Sequence, residues 1–317
     1  MRVSKALRGI GAGLAAPALA LGTAWGLCQY AFGSPHGDQN DDLAVPRSPQ
    51  FDQRRQEILG MIRALNEIPY DRVYITSFDG LRLAGRLYLG EPGAPLMLCF
   101  HGYRGTPSRD FSGGAALHIA AGRNVLLIEE RAQCSSEGKY ITMGVRERFD
   151  CLDWIGWARE RFGPEAKIVL NGISMGATTV LMAAGLGLPE NVRGIIADCP
   201  FTSPGAIVKS VMAGMRIPER PFYPLLAAGA RLFAGFGMEE ADAAEAVKNT
   251  DIPILLIHGE DDRFVPCDMS RRIAASNPDI RLETFPGAGH GLSFLADRER
   301  YAALAEAFIR QVTSGQE

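Results

Sequence analysis

Ser174 stands between two glycines in the stretch "LNGISMGATT", directly after a short apolar run. A serine hydroxyl is a poor nucleophile at neutral pH unless a base takes its proton. The stretch therefore carries chemistry only if an imidazole and a carboxylate reach it. Gly-x-Ser-x-Gly is a degenerate pattern, and a chain with 36 glycines among 317 residues can match it by chance. Of the five histidines, His36 lies in a linker-like polar stretch, while His118, in a helical pattern, and His258, at the end of an apolar run, read as structural. His101 precedes Gly102 in "CFHGYRG". His290, in the glycine-flanked loop "FPGAGHG" past the last strand-like run, is the candidate base. A carboxylate is needed to hold that base in one tautomer and stabilise its imidazolium. Glu260, Asp261 and Asp262 of "LLIHGEDDRFVP" are available, with Asp198, one strand earlier, as their rival.

These side chains can meet only if the chain brings loop ends to one edge. From Pro95 onward, apolar runs alternate with helical patterns: "LMLCF", "NVLLIE", "KIVLN", "GIIAD", "IPILLIH" and "IRLETF" are the runs. Short runs that are apolar on both faces, separated by helices, predict a mostly parallel sheet covered on both sides. Ligands of such sheets bind at the carboxyl ends of the strands, where Ser174, His290 and the acids all fall. Gly172 and Gly176 suit a tight strand-to-helix turn around the serine. The backbone N–H groups of Met175 and of Tyr103, in the loop after the first parallel strand, are the candidate oxyanion donors. Upstream, "RVYITSFDGLRLAGRLYL" alternates about Asp79-Gly80 and predicts an antiparallel hairpin. An amphipathic helix precedes it, with Ile58, Leu59, Ile62 and Leu65 on one face. Residues 201–249 interrupt the alternation and predict a helical cap insertion. Phe222, Tyr223 and Leu226 are its expected substrate-binding residues.

Four motifs in fixed order, "HGYRG", "GISMG", "HGEDDRFVP" and "GAGHG", make the chain resemble the α/β-hydrolase superfamily, in its serine-hydrolase branch of esterases, lipases and serine aminopeptidases. The resemblance covers about residues 70 to 313. It implies an α/β-hydrolase fold and a Ser174–His290–Asp262 triad, since Asp262 holds the acid position of the third motif. It also implies ester hydrolysis through an acyl-enzyme, with no metal or organic cofactor. Dehalogenase and epoxide-hydrolase relatives carry Asp where Ser174 stands, which disfavours those activities. A peptidase or acyltransferase on the same triad, or a non-catalytic membrane-anchored binding protein, are the alternatives. The chain departs from its relatives at "RAQCSSEG", which lacks the Arg-Gly-His-Gly-like turn often found there.

Composition points to a small-molecule partner, which the resemblance makes an acyl ester. The formal charge is −3 and the basic residues are dispersed, which gives no footprint for nucleic acid. Six cysteines lie far apart and read as buried thiols, not as a disulfide framework or a zinc site. Residues 1–33 differ from the rest: Arg2, Lys5 and Arg8 precede a segment free of charge from Gly9 to Pro35. Residues 10–32 have the length of a bilayer-spanning helix, so a membrane anchor is expected, with the body outside the cytoplasm. The alternative is a signal peptide cleaved at Ala18-Leu19-Ala20, leaving a secreted enzyme. Residues 34–50 read as a linker, and 51–317 as the hydrolase domain.

Overall fold

Eight strands form one sheet in the order β1-β2-β4-β3-β5-β6-β7-β8. The computed structural model describes residues 2–34 and 42–314, with side chains from residue 17 onward. His36 and most of the linker's polar stretch lie outside the described residues. The hairpin is β1 (Asp71–Thr76) and β2 (Arg82–Tyr88), joined through Gly80 with its φ of 88°. Both β1–β2 and β2–β4 pairings are antiparallel, and all others are parallel. The parallel strands are β3 (Leu96–Phe100), β4 (Asn124–Glu129), β5 (Ile168–Ile173), β6 (Val192–Asp198), β7 (Ile254–Gly259) and β8 (Arg281–Phe285). The central ones are buried along nearly their whole length, as strands covered on both faces must be.

Two cores follow from the two faces. On one, Trp154 and Ile155 of α5 (Glu147–Phe162) and Val180 and Leu181 of α6 (Met175–Ala184) pack on Leu98 and Leu170. On the other, Phe308 and Ile309 of α12 (Arg298–Thr313) and Phe111 of α3 (Pro107–Phe111) pack on Val169 and Ile196. The helical stretch between β3 and β4 is broken into α3 and α4 (Gly114–Ala120). The insertion forms α7 (Pro204–Gly214), α8 (Glu219–Gly229), a π-helical turn (Ala230–Ala234) and α9 (Ala243–Val247). Five of the six cysteines are buried.

The N-terminal segment requires a correction. It forms α1 (Arg2–Phe32), yet among the described residues no helix is long and apolar enough to cross a membrane. Ala24, Cys28 and Phe32, spaced four apart on one face, are buried. They pack against α8 and the π-turn, where a Cβ at Gly229 would collide with the Ala24 carbonyl. The Phe32 ring meets Phe236 edge-on at 5.1 Å. The second half of the stretch read as a span is thus a packing element of the body, and lipid cannot surround it. Length and lack of charge measured apolarity without asking what the face covers.

Candidate active site

Strand β5 delivers Ser174 and α6 leaves from it. A side chain at Gly172 would run into Gly176 and Ala177, and one at Gly176 into the Phe100 carbonyl. Two glycines therefore let α6 close on β5 and β3. The turn between them holds Ser174 at φ 54°, ψ −112°, a backbone that side-chain-bearing residues rarely adopt. The Ser174 N–H donates to the Asp198 carbonyl at 2.8 Å, tying the turn to β6.

The three motif residues meet. His290 Nε2 lies 2.9 Å from Ser174 Oγ, and His290 Nδ1 lies 2.7 Å from Asp262 Oδ2. Asp262 is saturated: its Oδ1 accepts from the Phe264 and Val265 amides at 2.8 Å each. Burial alone would push the Asp262 carboxyl up, but hydrogen bonds from His258, His290 and these amides hold it well below the usual carboxylate range. An acceptor-only carboxylate requires Nδ1–H on His290, which leaves the Nε2 lone pair facing the serine. Phe264 lies over the imidazole at 5.1 Å between ring centroids.

Asp198, the rival acid, is buried and turned elsewhere. Its Oδ1 accepts from Ser293 Oγ at 3.3 Å, and burial raises its pKa to about 6. Glu260 accepts from the Thr284 hydroxyl, and Asp261 is exposed. The Cys199 thiol lies within 4.8 Å of the Asp262 and His290 ligand atoms. Burial pushes that thiol far up, and the other two groups are engaged with each other, so the set is a poor metal cradle.

Met175 follows Ser174 in the chain, and Tyr103 lines the same cavity as Ser174. Met175 is the first residue of α6, so its N–H is one of the helix-end donors without an intrahelical acceptor. In "HGYRG" the Gly102 N–H already donates to Asp110 Oδ2 at 2.8 Å, which leaves Tyr103 as the amide for a ligand. His101 sits beneath the loop. Its Nδ1 donates to the Gly102 carbonyl at 2.9 Å, and its Nε2 accepts the Glu130 N–H at 3.1 Å.

A cavity of about 380 Å³ opens beside Ser174 and is mostly apolar. Its floor is two cross-strand pairs, Asn171 with Ile196 and Ile173 with Asp198. Its outer wall is residues 45–61, which include the start of α2 (Pro49–Asn66), together with Phe264, Phe294 and Leu295. No residue of the insertion 201–249 lines it. Phe222, Tyr223 and Leu226 lie in α8: the Tyr223 hydroxyl donates to Glu239, and Leu226 belongs to the core beneath α1. The structure does not bring these three to the serine.

Sequence reasoning passed over three contributors. His258 Nε2 donates to the Val265 carbonyl at 2.9 Å and lies 3.3 Å from Asp262 Oδ2, while its Nδ1 accepts from Ser270 Oγ. The sequence shows only a strand-end histidine four residues before Asp262. Asp110 had no signal beyond proximity to the loop. The wall at 45–61 was read partly as linker.

Comparison with known proteins identifies the family of the fold. The model of the alpha/beta hydrolase family matches residues 97–304. The uncharacterized protein YqkD of Bacillus subtilis is 25% identical over 203 residues, 63% of this chain and 67% of that protein. The thiohydrolase aneE of Aspergillus aculeatus is 32% identical over 145 residues, 44% of this chain and 45% of that one. The esterase Pf2001 of Pyrococcus furiosus superposes with a TM-score of 0.64 at 20% identity, over 80% of this chain and 94% of its own. With a family model covering both the elbow and the acid and base loops, the chain belongs to the alpha/beta hydrolase family.

Proposed function

We propose that the protein is a serine hydrolase that cleaves a carboxylic ester. The observation that carries the reading is the continuous Ser174–His290–Asp262 hydrogen-bonded relay at the mouth of an apolar cavity. Ser174 Oγ attacks the acyl carbon as His290 Nε2 takes its proton. The Met175 and Tyr103 amides receive the oxyanion, and His290 returns the proton to the leaving alcohol. Water, deprotonated by His290, then releases the acid and frees Ser174. Acyl thioesters are the second substrate class on this site, supported by the name of the aneE relative. A fluorophosphonate probe should label the wild type at Ser174 and not Ser174→Ala. A panel of p-nitrophenyl esters and the matching thioesters ranks the two classes. Absence of labelling would leave a binding protein on the same fold.

Location belongs to the same proposal: a body outside the cytoplasm, held at a bilayer surface by the N-terminal segment or secreted after cleavage. Leu19, Leu21, Trp25 and Tyr30 of α1 are exposed apolar side chains, available to a bilayer surface. Among the described side chains the packed face begins at Ala24, beyond the Ala18-Leu19-Ala20 site, so cleavage there would leave these packing contacts in place.

A further inference from the structure

The turn that presents the Tyr103 amide is not self-supporting. Gly105 N–H closes it onto the Gly102 carbonyl at 2.9 Å, and Arg104 inside it has a φ of 50°, a left-handed conformation that an arginine avoids. Such a backbone persists only where neighbouring contacts over-determine it. At its root the turn is held by Asp110 on the Gly102 amide and by Arg109 Nη2, which donates to the Arg104 carbonyl at 3.0 Å. At its tip the contacts come from α1. The Tyr103 hydroxyl donates to the Ala31 carbonyl at 2.8 Å, and Arg104 Nη2 donates to the Tyr30 carbonyl at 2.8 Å. The Arg104 guanidinium also lies 5.1 Å from the Tyr103 ring centre.

The last carbonyls of a helix have no intrahelical donor and carry partial negative charge, so a phenol and a guanidinium are well matched to them. The end of α1 is itself fixed from the other side. Gly33 pairs with Tyr140, Ile141 N–H donates to the Phe32 carbonyl at 2.8 Å, and Ser34 Oγ donates to the Ala132 carbonyl at 2.7 Å. A rigid platform therefore stands under the turn.

We propose that Tyr103 and Arg104 are positioning residues whose side chains dock the oxyanion turn on the C-terminal end of α1, making the N-terminal helix a working part of the active site. The inference rests on the serine-hydrolase reading, because it concerns the oxyanion donor of that reaction. Loss of the docking frees the Tyr103 amide to turn away from the oxyanion while leaving the cavity intact. Its cost falls on the transition state and spares ground-state binding.

The test uses the full chain. Tyr103→Phe removes one hydroxyl, Arg104→Ala removes the guanidinium, and Arg104→Lys restores a single donor. Gly229→Val drives a wedge under Ala24 from outside the site. For each, kcat and KM are measured on one ester, with inhibition by a trifluoromethyl ketone, which forms a tetrahedral adduct, and by an uncleavable ether analogue. Removing an oxyanion donor outright costs 10²–10³ in rate, so loss of its support should lower kcat roughly tenfold. KM should stay within about twofold. Ketone affinity should fall with kcat, ether affinity should hold, and Arg104→Lys should recover part of the loss. Tyr103→Phe added to Gly229→Val should cost less than it does alone. Wild-type kcat in both Tyr103→Phe and Arg104→Ala, or a loss confined to KM, overturns the proposal. A wild type that neither labels at Ser174 nor turns over ester would defeat the hydrolase reading itself, a separate result.

Discussion

His290 can act as a base only because Asp262 stays ionised and holds it in one tautomer. Ser174→Ala or His290→Ala should each lower kcat about 10⁴-fold or more with an unchanged circular dichroism spectrum. Near-native turnover by Ser174→Ala would end the assignment. Asp262→Asn should cost about 10³–10⁴-fold by favouring the wrong tautomer, whereas Asp261→Asn, on an exposed side chain, should be close to neutral. Asp198 offers a pH test. Its folded pKa of about 6 exceeds the ordinary aspartate value of 3.8, so the stability it contributes is complete below pH 4 and is lost as pH rises through 6. Asp198→Asn, which copies the neutral acid, should flatten the fall in melting temperature between pH 4 and 7. An unchanged slope would rule out the protonated carboxyl. At this scale the triad was legible because its members sit in short, ordered motifs. His258 and Asp110 were not, because their roles exist only as contacts: a side chain sharing an acid, and a carboxylate capping an amide from eight positions away.

Among the elements, the mostly parallel sheet and its hairpin were readable from apolar runs and an Asp-Gly turn, since periodicity reports directly what a strand buries; the order of the strands was not. The wall of the cavity was not. A fifty-residue insertion stands out in a linear chain, while nothing linear shows that residues 45–61 fold back over Leu292 and Leu295. Shortening Phe51, Met61, Phe264 or Leu295 to Ala should therefore shift acyl chain-length preference, by about 1–3 kcal/mol per methylene. Phe222→Ala and Tyr223→Ala should leave that profile unaltered; a shift from these two and none from the first set would return the pocket to the insertion. The same logic applies to α1. Phe32→Ala should destabilise the fold by about 3–5 kcal/mol in denaturant titrations, and Leu19→Ala should be nearly silent, because only the former side chain is buried.

For the whole molecule, mass spectrometry of the mature N-terminus separates the two proposed locations. A chain beginning near Leu21 in the soluble fraction means secretion. An intact chain that binds anionic vesicles, and is released from them by alkaline carbonate, means attachment at the surface. One further consequence follows from the wall at 45–61. Arg298 Nη2 grips Glu57 across 241 positions, and Leu292 and Leu295 cover Ile58 and Ile62. These contacts close a loop holding the entire sheet, so they return little until everything between them is already folded. The wall should be the last region to assemble and the first to open, with amide protons of 49–62 exchanging ahead of those in β3, β5 and β6. The entrance to the cavity then breathes on its own, and the stability of that one late-forming seam sets how often a substrate finds the door ajar.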